Sequence, residues 1–151
     1  MEIRKIMNKA VIWCEANDTV DTAAKLMREH GVGTLPVLED SDSRRVIGIV
    51  TDRDLCVNVV AAGLDPRFVE VQECMNRRVI ACYRSTDSLT ALEYMTKGKV
   101  RRMPVVSRLG ALIGIISIDD LARSNTVPAE NIRKTLALLA KSSVKRLAKA
   151  A

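Results

Sequence analysis

Aromatic residues are nearly missing from this chain: 3% of its residues, namely one Trp, two Tyr and one Phe. That removes the stacking platforms on which single-stranded nucleic acid is usually held. Histidine is limited to His30, and the four cysteines, Cys14, Cys56, Cys74 and Cys82, form no C-x-x-C pair. A structural zinc site takes four well-spaced Cys or His ligands, so no metal is expected. The thiols read as reduced cytosolic cysteines. No apolar run approaches the roughly 20 residues of a membrane span. The start, Met1-Glu2-Ile3-Arg4-Lys5-Ile6, has no apolar signal core, so the expected location is the cytoplasm. A Walker-type glycine loop is absent. No Ser or Cys has a visible base partner, and His30 falls at a predicted helix end, so no enzyme is expected.

The 151 residues are 48% hydrophobic, enough for one domain or two small ones around an aliphatic core of Val, Ile, Leu, Ala and Met. The net charge is +6. Residues 128–151 carry Arg133, Lys134, Lys141, Lys145, Arg146 and Lys149 against one acid, Glu130, so the preceding 127 residues are almost neutral. The basic character belongs to the tail.

The chain repeats itself. A shift of 68 aligns Met7 with Met75, Val11 with Val79, Cys14 with Cys82, Met27 with Met95, Pro36 with Pro104 and Val37 with Val105. After a shortened turn the shift becomes 66, and Gly48-Ile49-Val50-Thr51-Asp52-Arg53-Asp54-Leu55 meets Gly114-Ile115-Ile116-Ser117-Ile118-Asp119-Asp120-Leu121. In each, an apolar strand ends at a hydroxyl residue and a helix begins. Ser/Thr-x-x-Asp is the spacing of a helix capping box. It is also a polar corner able to take anions or sugar hydroxyls. The two readings coexist.

Each copy reads as strand, helix, strand, strand, helix. Asp18 or Thr19 caps a helix with Val20, Ala23, Ala24 and Met27 on one face, ended by Gly31. Its counterpart runs from about Asp87 to Lys97 with Leu89, Leu92 and Met95 inward. Proline is expected to hold Leu35-Pro36-Val37-Leu38 and Met103-Pro104-Val105-Val106 at a strand start or sheet edge. The last helix of the first copy places Leu55, Val59 and Ala62 inward and stops at Gly63. The expected division is 1–63, a linker 64–74, 75–127 and a tail 128–151. In the tail, Ile132, Leu136, Leu139 and Leu147 oppose Lys134, Lys141, Lys145 and Lys149, an amphipathic helix suited to a surface, a dimer interface or an anionic partner.

Two such units, with paired Pro-Val strands and paired Gly-aliphatic-aliphatic-Thr/Ser-x-x-Asp turns, resemble a tandem pair of cystathionine-β-synthase (CBS) domains, a Bateman module. The resemblance spans roughly residues 4–123 and leaves the tail outside. It implies an α+β fold of two β-α-β-β-α repeats related by a pseudo-twofold axis, with a basic C-terminal helix appended. It implies ligand clefts for AMP, ADP, ATP or S-adenosylmethionine and no required cofactor. Thr51 and Asp54 would serve one cleft, Ser117 and Asp120 the other. By the family's crossed arms, Arg101 and Arg102 would reach the Thr51/Asp54 cleft, and Arg53 the Ser117/Asp120 cleft. The copies differ: Gly33-Thr34 stands opposite Arg101-Arg102, and Asp119 opposite Arg53, so the two clefts should bind unequally. The resemblance further implies a homodimer and a regulated protein partner of unknown identity. The expected function is a regulatory sensor of an adenine nucleotide. The alternatives are a dimerisation and interaction module whose tail docks a partner, and nucleic-acid binding by the tail, which should collapse with salt.

Overall fold

A computed structural model describes residues 1–150, with side chains through Ser143. The chain forms two compact units. The first-repeat unit comprises Ala10–Val79 and Arg108–Leu112; the second-repeat unit comprises Met1–Lys9, Ile80–Ser107 and the described residues from Ile113 onward.

In the first-repeat unit the elements are β1 (Cys14–Glu15), α1 (Val20–His30), β2 (Thr34–Leu38), β3 (Val46–Thr51) and α2 (Asp52–Leu55). The sheet order is β1-β2-β3, parallel then antiparallel. In the second-repeat unit they are β4 (Cys82–Tyr83), α3 (Ser88–Gly98), β5 (Arg102–Val106), β6 (Leu112–Ser117), α4 (Ile118–Arg123) and α5 (Ala129–Ala150). The sheet order there is β4-β5-β6. The strand-helix-strand-strand-helix order expected of each copy is the one observed.

Both Pro-Val strands are central, not at an edge. Two features make room for the missing N–H of Pro36. The two-residue β1 pairs only with Val37 and Leu38, so the ladder on that side starts after the proline. On the other side Ile49 lies opposite Pro36, but its N–H and C=O both bond Asn76, at 2.9 and 2.8 Å. The proline thus occupies a pair that exchanges no hydrogen bonds.

Asn76 belongs to a short arm that completes the first-repeat unit. Val69, Val71 and Met75 of that arm are buried in the same core as Leu35, Val37, Val50 and Val59. A Cβ on Gly48 would collide with the Met75 sulfur, so glycine here is required by the arm. The second-repeat unit uses Met1–Lys9 the same way. Ile3 is fully buried with Met95, Met103 and Leu121, Asn8 bridges to Ile115, and Gly114 leaves room for Met7, whose sulfur would lie 2.7 Å from an added Cβ.

Helix α1 is capped by Thr19, whose hydroxyl accepts from Thr22 N–H, and it ends on Gly31 at φ 63°. Val20, Ala23 and Met27 are buried, whereas Ala24 is exposed and Leu26 takes the flank. In α3 the inward residues are Ala91, Leu92 and Met95, with Leu89 at the exposed start. Helix α2 widens into a π-turn over Cys56–Val60, closed by Ala61 N–H to Cys56 O. Leu55 and Val59 stay inward, but the extra residue per turn rotates Ala62 outward.

The tail helix is part of the second-repeat core. Val127, Ile132 and Leu139 are buried there, Leu136 packs against them, and α5 lies on α3 and α4. Buried Thr135 shares a 2.9 Å hydrogen bond with Thr96. The apolar stripe expected to meet a partner is therefore covered by this chain's own helices as far as Leu139. The expected positions of Lys145, Arg146, Leu147 and Lys149 lie outside the described side chains.

Candidate functional site: two hydroxyl–carboxylate corners

Each corner is built by a strand that stops at a hydroxyl. Thr51 keeps extended backbone at φ −117° and ψ 160° while the next residues turn helical. Its N–H and hydroxyl both donate to Asp54 Oδ2, at 2.9 and 2.8 Å, and Asp54 N–H returns to the threonine oxygen at 3.2 Å. Ser117 repeats the pattern with Asp120: 2.9 Å from N–H and 2.6 Å from the hydroxyl to Oδ2, and 3.1 Å for the return bond. Both are complete capping boxes. Capping accounts for one oxygen of each aspartate. Both aspartates are half-buried.

The second oxygen separates the corners. Asp54 Oδ1 has no hydrogen-bond partner among the described residues. A carboxylate oxygen offers about two lone-pair sites, so Oδ1 can accept both hydroxyls of a vicinal diol. Asp120 Oδ1 instead accepts from Arg123 Nη2 at 2.5 Å. That arginine is 75% exposed, and the residue equivalent to it in the first repeat is Val57.

The arginines fall as follows. Arg53 is exposed beside Asp52, whose Oδ1 accepts its N–H at 2.8 Å. Arg101 is exposed and Arg102 half-buried at the start of β5. Arg101 O accepts from Ile118 N–H at 3.0 Å, which fixes Arg101 backbone beside the Ser117 turn of its own unit. The first repeat makes the same bond, Asp52 N–H to Gly33 O. A Cβ on Gly33 would sit 2.7 Å from Asp52 Oδ2, the free end of an exposed side chain that can swing aside. Thr51, Asp54 and Arg53 thus share one unit, and Arg101, Arg102, Ser117 and Asp120 share the other.

Arg123 was not among the expected site residues, although its spacing from Asp120, three residues along a helix, is a readable ion-pair signal. Lys99 is the other omission. Helix α3 ends on it in left-handed conformation, φ 57°. The equivalent residue in the first repeat is Gly31, at φ 63°. Gly98, which looks like the natural cap, is taken up by packing: a Cβ there would lie 2.6 Å from Ile80 Cγ1.

Cys14 and Cys82 are buried free thiols. Burial pushes each up to about 12, helped for Cys14 by the charge of Asp18. Among the described residues no three His, Cys, Asp or Glu side chains cluster as metal ligands.

The family model for the CBS domain matches the chain twice, over residues 3–60 and 71–125. The chain belongs to the CBS domain family. As a tandem CBS pair it is 37% identical over 120 residues to hypoxic response protein 1 of Mycobacterium tuberculosis, covering 80% of this chain and 82% of that one. Among solved structures it resembles a hypoxic response protein with two coordinated zinc ions (TM-score 0.74, 34% identity, 85% of this chain and all of that one). It also shares its fold with a CBS domain pair solved with 5′-methylthioadenosine and S-adenosyl-L-methionine (TM-score 0.71, 23% identity, 83% and 95% coverage). The α+β fold read from the repeats is the CBS fold, and both hydroxyl–carboxylate corners lie inside the matched segments. No helix among the described residues is long and apolar enough to cross a membrane.

Proposed function

We propose that this CBS pair is a regulatory, non-enzymatic binder of an adenosine ligand (AMP, ADP, ATP or S-adenosylmethionine), with the Thr51–Asp54 corner as its stronger ribose site. The observation that carries the reading is the open Asp54 Oδ1, beside an Oδ2 held rigidly by the capping box. A preset acceptor loses little entropy on binding. That a protein of the same fold was solved with two adenosyl ligands supports the ligand class. At the second corner a ribose must displace Arg123. Ligand binding regulates by favouring one of two conformations, in proportion to its differential affinity.

Calorimetric titration with AMP, ATP and S-adenosylmethionine tests the reading, at about 100 μM protein for roughly micromolar affinity. Saturable heat with at least one is expected; none with any would overturn it.

A second reading, a homodimerising interaction module, is favoured by one feature. Val57, Val60, Leu64 and Phe68 of the first-repeat unit are 51%, 70%, 50% and 81% exposed within twelve residues of chain. Sedimentation of the full chain gives the subunit count. Under this reading Val60→Glu yields monomers, while Asp54→Asn leaves the assembly intact.

A further inference from the structure

A cavity of about 290 Å³ in the second-repeat unit is lined by Lys99 and Arg101 on one side and by Leu139, Ala140 and Ser143 of α5 on the other. We propose that it is a binding site for a small phosphate-bearing anion, with the C-terminal helix as its wall. Neither Ser117 nor Asp120 lines it, and its α5 residues lie beyond the matched CBS segments. Arg101 stands beside the Ser117 turn, so the cavity adjoins the second corner, and its α5 wall is what sets it apart from that corner.

Three observations converge. Charge comes first: Lys97, Lys99, Arg101 and Arg102 fall within six residues that include no acid. Lys99 and Arg101 form no ion pair among the described residues, whereas Arg123, Arg133 and Lys134 of the same unit do. A guanidinium fork beside an ammonium is a pairing suited to a phosphoryl group.

Backbone is the second. Lys99 holds the left-handed conformation that its counterpart Gly31 adopts freely. An L-residue loses stability there. Glycine would be the less strained residue at this position, so the lysine side chain is carried at a cost to the backbone.

Shape is the third. The floor is apolar, from Leu139 and Ala140, and the volume is at the small end for ligand sites, which begin near ~300 Å³. The Ser143 hydroxyl donates to Leu139 O at 3.2 Å, which leaves its lone pairs as acceptors for a protonated phosphate oxygen. The cavity therefore suits a compact phosphomonoester better than a polyanion, which needs an extended groove.

Inorganic phosphate is the probe, titrated at constant ionic strength against chloride and followed by backbone amide NMR of the full chain. Saturable shifts centred on Lys99, Arg101 and Ser143 are expected. Arg101→Gln should weaken binding about tenfold or more. Lys99→Gly should also weaken it, while raising Tm by about 2–4 °C through relief of the backbone. That opposite movement of affinity and stability separates a ligand role from a structural one. Shifts that never saturate, that persist unchanged in Arg101→Gln, or that centre on Ser117 and Asp120 would overturn the proposal. So would a Lys99→Gly variant less stable than the parent.

Discussion

The two repeats build the same corner and finish it differently. In the first, Asp54 uses one oxygen to cap its helix and leaves the other open. In the second, Asp120 makes the same cap with a shorter hydroxyl bond, and Arg123 takes the remaining oxygen. A capping box and a ligand site are thus compatible within one aspartate, because a carboxylate has twice the acceptors that the cap consumes. The difference between the corners lies one turn along the helix, where Arg123 in one repeat matches Val57 in the other. Both copies carry the cap, and the residue one turn on leaves only the first with a free acceptor.

The largest expected effect breaks the comparison directly. Asp54→Asn keeps an amide oxygen for the Thr51 cap but turns a donor toward the diol. Adenosine-ligand affinity should fall by about two orders of magnitude, the scale of losing charge-assisted hydrogen bonds at 1.5–3 kcal/mol each. Asp120→Asn should cost less than about tenfold in the same calorimetric titration. Equal losses would erase the distinction.

Next come the glycines that admit the arms. Gly48→Ala forces Met75 aside and Gly114→Ala forces Met7 aside. Each should cost about 1–3 kcal/mol, the range for overpacking, read by urea denaturation. Because each arm completes one corner's strand through Asn76 or Asn8, Gly48→Ala should also weaken ligand binding, whereas Gly114→Ala should not.

Alkaline pH treats the repeats alike and serves as a control. Cys14 and Cys82 titrate at about 12 in the fold, against an ordinary thiol value of 9.0. The unfolded chain releases these protons first, so stability is full below about pH 9 and declines as pH rises toward 12. Thermal unfolding across that window should show the decline, and replacing both cysteines by Ala should flatten it.

The smallest effect sharpens the comparison. The Arg123–Asp120 pair is largely exposed on the arginine side, so Arg123→Ala should change stability by less than about 1 kcal/mol. It should nevertheless free Asp120 Oδ1 and make the second corner behave more like the first, seen as a second binding event in the titration.

Much of this was legible in the residues. The duplicated hydroxyl-x-x-Asp turn identified both corners, and the 68-residue shift aligned the elements, because apolar periodicity and turn chemistry are local signals. The central prolines were not legible: their tolerance depends on how short β1 is and on Ile49 pairing with Asn76, both tertiary facts. The role of residues 69–76 and 1–9 as arms was hidden for the same reason, although the matched methionines, Met7 and Met75, were its visible trace. A regular helix period puts Ala62 and Leu89 inward, but a π-turn and a helix start do not keep that period. Arg123 could have been found, since its three-residue spacing from Asp120 is written in the sequence.

The central claim is that Asp54 grips the ribose diol. It is tested most directly by measuring the affinity of the parent chain and Asp54→Asn for AMP and for its 2′,3′-dideoxy analogue. The parent should lose about a hundredfold on removal of the diol, and the variant should lose almost nothing further. An equal loss in both proteins, or no discrimination by the parent, would contradict the account.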